Sequence, residues 1–117
     1  MLIGQIALSV SDLPRAVGFY RDTLGLPFLF EATNMAFFDC GGVRLMLSVS
    51  QNPESKYGSI IYYKTDDIQG ACGQLLKRGV AFEAPARMIA KMPDHELWMA
   101  FFRDSERNLV GLMSEVR

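Results

Sequence analysis

The tetrapeptide MAFF stands at residues 35–38 and recurs letter for letter at residues 99–102. Each copy is followed closely by an Asp, a turn and another apolar segment. Upstream, the segments QIALSVSD at 5–12 and IIYYKTDD at 60–67 correspond to each other, since in both an apolar stretch ends in an acid. Self-similarity at a fixed spacing is typical of a duplicated structural unit. The sequence therefore predicts two copies of one module.

The first copy has the hydrophobic pattern of one strand, one helix and three further strands. Residues 2–10 alternate and are rich in Ile, Leu and Val, which predicts a half-buried strand. Ser11 or Asp12 is expected to cap the helix that follows, Pro14 suits its first turn, and Gly25 is expected to end it. Strands are then predicted at about 27–32, 34–40 and 43–49. The order of the first module is βαβββ.

The second copy repeats this order. A strand at 59–65 leads into a helix at about 67–78, which Asp66 or Asp67 is expected to cap and Gly79 to close. After the helix, strands are predicted near 80–83, 86–91, 97–103 and 108–114. The two halves are therefore expected to fold alike, with one strand more in the second.

The length of 117 residues favours a single domain with a core of its own. We predict one domain spanning 1–117, with module one at about 1–50 and module two at about 59–117. The segment 51–58 is polar, contains Pro and Gly, and is expected to link the modules. Because one βαβββ unit does not close a core alone, the modules are expected to pair, either within the chain or across a homodimer.

Composition excludes several kinds of partner. The formal net charge is -1 and the chain has no basic run that would neutralise a row of phosphates, so nucleic acid is not expected to bind. The apolar stretches are shorter than the roughly 20 residues that cross a bilayer, and residues 1–4 lack the pattern of a signal peptide. We expect a cytoplasmic protein without a membrane partner. Cys40 and Cys72 form no CxxC pair and are expected to be buried free thiols.

Four segments carry a resemblance to a known family. The segments QIALSVSDL at 5–13, FY at 19–20 and LGL at 24–26 resemble the opening signature of the vicinal-oxygen-chelate superfamily, which includes glyoxalases, bleomycin-resistance proteins and ring-cleaving dioxygenases. The segment FFRDSERNL at 101–109 is similar to its closing signature. The resemblance implies an α+β fold in which two βαβββ modules form a cupped, barrel-like mixed sheet.

The resemblance also locates four positions at which metal-dependent members hold a divalent ion. They correspond here to Gln5, Met46, Ile60 and Gly111. Of these four residue types, only the glutamine of Gln5 serves as a metal ligand in some glyoxalases. A divalent ion needs several charged or imidazole donors to replace its water shell. We therefore expect neither a metal ion nor another cofactor in the cup. A metalloenzyme with ligands at unexpected positions is left as a third hypothesis.

Without a metal, the cup is expected to have an apolar floor with one amide. The expected ligand-binding residues are Gln5, Arg44, Met46, Ile60, Tyr62, Trp98, Phe102 and Gly111. Arg44 is expected to share a face with Met46 and to meet a carboxylate or phosphate of the ligand. The simpler interpretations are that the aromatic residues only fill the core and that Arg44 forms a surface ion pair.

Two functions that need no metal stand beside that third hypothesis. The first is a metal-free protein that binds a small apolar or aromatic molecule in the cup, related in build to bleomycin-resistance proteins. The second is a lyase, isomerase or epimerase acting on a small carbonyl substrate, with His95 or Glu83 as general base, because imidazole titrates near neutral pH. For His95 the simpler interpretation is a solvated loop residue.

Overall fold

The computed structural model describes Ile3, residues 5–49 and residues 60–117. The chain divides into two compact units, Met1–Gly58 and Ser59–Arg117. The linker expected at 51–58 lies outside the described residues. Each unit contains a four-stranded mixed sheet and a helical segment in the order βαβββ, so the α+β fold of two βαβββ modules is confirmed.

In the first unit, a parallel pair and two antiparallel pairs build the sheet. Its elements are β1 (Gln5–Val10), α1 (Leu13–Gly18) continued by a π-helical turn (Phe19–Thr23), β2 (Phe28–Ala32), β3 (Met35–Cys40) and β4 (Val43–Val49). The strand order is β1-β4-β3-β2, with β1 parallel to β4. The Asp12 side chain caps α1 by accepting from the Arg15 amide at 3.1 Å. Gly25 follows the helical segment with a φ of 81°, a left-handed conformation that glycine adopts without strain.

The second unit has the same topology. Its elements are β5 (Ile61–Lys64), α2 (Ile68–Lys77), β6 (Phe82–Lys91), β7 (Glu96–Arg103) and β8 (Leu109–Val116). The strand order is β5-β8-β7-β6, with β5 parallel to β8. The Asp67 side chain caps α2 by accepting from the Gly70 amide at 3.0 Å. No helix among the described residues is long and apolar enough to cross a membrane.

The prediction of two separate strands at 80–83 and 86–91 is wrong, because both belong to the single edge strand β6. The pairing of β6 with β7 shifts register around Pro85, between Phe82 and Ala84 and again between Ala84 and Arg87. Proline has no amide hydrogen to give to a ladder and is tolerated at bulges of edge strands. The β6 strand therefore continues through Pro85 with a local irregularity in its pairing.

Alternation along the strands gives each sheet one face that packs against its helix and one that does not. On the helix side of the first sheet, the centroid of the Phe38 ring lies 6.2 Å from the centroid of the Tyr20 ring in the π-helical turn. Phe38 and its repeat counterpart Phe102 are both fully buried. We call the opposite side of each sheet its helix-free face. Successive residues of a strand point to opposite faces, so Phe37 and Phe101 lie on the helix-free faces.

Candidate functional site

The helix-free face of the first sheet combines a polar row with an apolar row. The register places Gln5, Arg44 and Asp39 side by side on three neighbouring strands. Two residues further along the same strands, the next row contains Ala7, Met46, Phe37 and Phe30. Arg44 and Met46 therefore share this face, as expected from strict alternation.

Two phenylalanine rings on this face support the Arg44 guanidinium. The rings of Phe30 and Phe37 stack with centroids 4.5 Å apart. The guanidinium carbon of Arg44 lies 5.7 Å from the Phe30 centroid and 5.5 Å from the Phe37 centroid. Both distances are within the range of a cation–π contact. Beside it, the Gln5 amide donates weakly to the Met46 sulfur at 3.8 Å.

The helix-free face of the second sheet is built around a tyrosine that lies against a glycine. Tyr62 on β5 is the register partner of Gly111 on β8, and Phe101 on β7 is the partner of Gly111 on the other side. A Cβ atom at Gly111 would come within 2.6 Å of Cδ1 of Tyr62. The Tyr62 ring meets the Phe101 ring edge to face, at a centroid distance of 5.8 Å. The tyrosine ring thus occupies the space that a side chain at position 111 would need.

The residues at the four family positions do not suit a divalent ion. In the first unit, Gln5 and Met46 contribute one amide and one thioether. In the second unit, Ile60 and Gly111 contribute no donor atom, and the Tyr62 ring fills the place of a ligand side chain at 111. Within the described ranges, no group of three or more His, Cys, Asp or Glu side chains is arranged to hold a metal. Hard or borderline cations require several oxygen, imidazole or thiolate donors, and among these four side chains only the Gln5 amide supplies one.

Two of the expected ligand-binding residues lie on the other side of the second sheet. Phe102 is fully buried, and its ring meets the Phe82 ring at a centroid distance of 5.4 Å. Trp98 has the same parity along β7 as Phe102, and its indole Nε1 donates to Glu96 Oε1 at 3.1 Å. The structure therefore does not bring Trp98 and Phe102 to the face that carries Tyr62 and Gly111. Full burial places Phe102 in the core, whereas Trp98 is partly buried.

His95 lies in the turn that joins β6 to β7, where its carbonyl accepts from the Met92 amide at 2.8 Å. Its Nδ1 is 2.8 Å from Asp94 Oδ1, and its side chain is only 15% exposed. Asp94 also accepts from Arg117 Nη1 at 2.8 Å. Hydrogen bonds from Arg117 and, second, from His95 lower the pKa of Asp94 to about 2. His95 is thus a partly buried residue with a carboxylate partner.

The other candidate base, Glu83, takes part in an ion pair. Its Oε1 accepts from Arg103 Nε at 2.8 Å, and both side chains are about half exposed. Arg103 also donates to the Arg107 carbonyl at 3.2 Å. The structure does not bring Glu83 and His95 together, since they lie near opposite ends of β6.

Sequence reasoning missed three rings of the helix-free faces. Phe30, Phe37 and Phe101 were not among the expected ligand-binding residues, although the rings of the first two support Arg44 and the third contacts Tyr62. The signal was present in the alternation of MAFF, whose two phenylalanines must point to opposite faces. Choosing the correct one required knowing which face the helix covers.

The chain is similar to known proteins of one family. A family model described as the Glyoxalase/Bleomycin resistance protein/Dioxygenase superfamily matches residues 2–112. The uncharacterized protein YraH of Bacillus subtilis (strain 168) is 29% identical over 132 residues, which cover 96% of this chain and 97% of YraH. The crystal structure of TnmS3, an antibiotic binding protein from Streptomyces sp. CB03234, superposes with a TM-score of 0.76 at 26% identity, covering 98% of this chain and 96% of TnmS3.

A further similarity covers less than half of the chain. The metallothiol transferase FosB of Staphylococcus haemolyticus (strain JCSC1435) is 40% identical over 50 residues, which are 43% of this chain and 36% of FosB. That relative is named as a metallothiol transferase, whereas TnmS3 is named as an antibiotic binding protein. The relatives thus include both functional types.

Proposed function

Because the chain belongs to the Glyoxalase/Bleomycin resistance protein/Dioxygenase superfamily, we propose that it is a metal-free protein that binds a small apolar or aromatic molecule. The observation that carries the proposal is the Tyr62 ring lying in the space beside Gly111. At this position the family resemblance places a metal-binding acid. The chain has a ring wall there, formed by Tyr62 and Phe101.

Three features support a ligand of this chemistry. Tyr62 keeps 42% of its surface exposed and Phe30 keeps 45%, so both offer aromatic surface to a partner. Met46 adds an adaptable side chain that packs well against rings. Aromatic and apolar walls with a few polar groups are the usual lining of small-molecule sites. TnmS3, which is named as an antibiotic binding protein, has the same fold at 26% identity.

The test is a binding screen of the full chain against planar aromatic compounds, by calorimetry and native mass spectrometry. The expected result is binding that is unchanged by EDTA, with Tyr62→Ala weakening it roughly tenfold, as loss of an aromatic pair does. Leu76→Ala is the matched control, since Leu76 is exposed on α2. No binding across the screen, or binding that EDTA abolishes and a divalent ion restores, would overturn the proposal.

A homodimer is part of the same proposal. The edge strands of both sheets carry exposed apolar side chains, among them Leu29 on β2, 46% exposed, and Ile89 on β6, 43% exposed. Apolar edges of this kind favour association with another chain. Sedimentation equilibrium is expected to give the mass of two chains. A monomer at all concentrations measured would remove this part of the proposal.

A second candidate function, an enzyme with a histidine base, is favoured by one observation. His95 is mostly buried and its Nδ1 lies 2.8 Å from Asp94 Oδ1, an arrangement in which a carboxylate orients an imidazole. This candidate predicts turnover of a small carbonyl compound that His95→Ala abolishes while the melting temperature is retained. Turnover that persists in His95→Ala would reject His95 as the base.

A further inference from the structure

The charge of Arg44 points to the chemical class of a ligand on the helix-free face of the first sheet. Arg44 is exposed and lies on the helix-free face of the first sheet. Its guanidinium is held 5.5 Å from the Phe37 centroid and 5.7 Å from the Phe30 centroid. Within residues 5–49 and 60–117, none of the ion pairs includes Arg44. An exposed guanidinium that forms no ion pair among the described residues favours an anionic partner.

The Arg44 guanidinium is exposed and can donate hydrogen bonds to a partner. Its five N–H donors lie in one plane, in a fork that matches a carboxylate. The ring contacts also restrict the long side chain in advance, so less conformational entropy is lost when an anion binds. Arg44 is therefore prepared for a bidentate contact with a carboxylate.

Asp39 is the one carboxylate that the register places beside Arg44. Its Oδ1 accepts from the Gly42 amide at 3.0 Å, in the turn between β3 and β4. The two residues form no ion pair. The turn thus holds the Asp39 carboxylate. Its negative charge would weaken the binding of an anion to Arg44, but it does not occupy the place of that anion.

The apolar row lies two residues along the strands from Arg44. Two residues of a strand span about 7 Å. Phe37 is only 8% exposed, whereas Phe30 is 45% exposed and Met46 is partly accessible, so these last two offer the surface for an aromatic group. From this spacing we infer that the ligand is an aryl carboxylate, with its anion on the Arg44 fork, beside the Gln5 amide, and its ring on Phe30 and Met46.

This inference rests on the proposed function and is tested separately from it. The probes are trans-cinnamate and its neutral isostere cinnamamide, titrated into the full chain by calorimetry. Cinnamate is expected to bind at least about tenfold more tightly than cinnamamide, since hydrogen bonds to charged groups are the stronger ones. The difference is expected to shrink at high salt, because the site is exposed.

Three variants assign the effect to Arg44. Arg44→Gln is expected to remove the preference for cinnamate and to leave cinnamamide binding unchanged within about twofold. Arg87→Gln is the matched control, because Arg87 is an exposed arginine of β6 in the second unit; it should preserve the preference. Asp39→Asn, which keeps the acceptor for Gly42 but removes a negative charge, is expected to tighten cinnamate binding.

The outcomes separate the two proposals. Equal binding of cinnamate and cinnamamide overturns the anionic ligand class and leaves aromatic binding standing. A preference that survives Arg44→Gln, or that Arg87→Gln abolishes, overturns the role of Arg44. If neither probe binds, the inference of an aryl carboxylate ligand is overturned. The wider screen then decides whether any aromatic ligand binds. If Arg44→Gln melts well below the parent chain, Arg44→Lys replaces it, and it is expected to weaken the preference because it loses the fork.

Discussion

The two units share the tetrapeptide MAFF. They are alike on the side of the sheet that packs against the helix and differ on the helix-free face. Ala36 and Ala100 are fully buried, as are Phe38 and Phe102, so the helix side of the repeat is alike in both. On the helix-free faces the first unit has an arginine over two stacked rings, and the second has a tyrosine ring against Gly111. Packing against the helix restricts one half of the repeat, while the surroundings of the other half differ between the two units.

The contrast between the two faces of one strand predicts the largest effect. Phe102→Ala removes a fully buried ring and is expected to destabilise the second unit by about 3–5 kcal/mol. Phe101→Ala, one residue earlier, removes a partly exposed ring that contacts Tyr62 and is expected to cost about 1–2 kcal/mol. Urea unfolding of the full chain measures both. Equal losses would show that the helix-free face is as much a part of the core as the helix side.

The tyrosine against Gly111 predicts an effect of intermediate size. Gly111→Ala places a Cβ within 2.6 Å of Cδ1 and 2.9 Å of Cε1 of the Tyr62 ring. The ring must move, so we expect a loss of about 1–3 kcal/mol, typical of overpacking. Tyr62→Ala should relieve most of this loss in the double variant, and a double-mutant cycle from urea unfolding measures the coupling. Strict additivity of the two changes would contradict the close approach.

The charged groups at one end of the second sheet predict the smallest effect. Asp94 pairs with Arg117 at 2.8 Å and with His95 at 2.8 Å, and its pKa is lowered from 3.8 to about 2. A lowered folded-state pKa means that the contribution of Asp94 to stability is present above pH 3.8 and is lost as the pH falls towards 2.

Asp94→Asn tests this contribution. The variant is expected to melt slightly below the parent chain near neutral pH, because the ion pairs are exposed and worth little. The gap in melting temperature should close as the pH is lowered through the range between the two pKa values. A gap that stays constant over that range would mean that the Asp94 carboxylate does not account for the difference. Glu31→Gln in the first unit is a matched control for loss of one exposed carboxylate.

Much of the fold could be predicted because local chemistry and periodicity determine it. Asp12 and Asp67, each one of two residues expected as the cap, cap their helices. The duplicated MAFF indicated the correspondence between the halves, and the family resemblance located the positions of Gln5 and Gly111. The predicted strand boundary between 83 and 86 is wrong, because the chain continues there as one strand with a bulge. A bulge depends on how an edge strand pairs with its neighbour rather than on the residues alone.

The sequence by itself determined the doubled βαβββ order and the residue types at the four family positions, since both follow from patterns along the chain. Only the tertiary structure decided that Phe101, and not Phe102, shares a face with Tyr62 and that the Tyr62 ring lies against Gly111. Alternation assigns residues to two faces but does not say which face the helix covers. Cross-strand register, which brings residues far apart in sequence into contact, supplies that information.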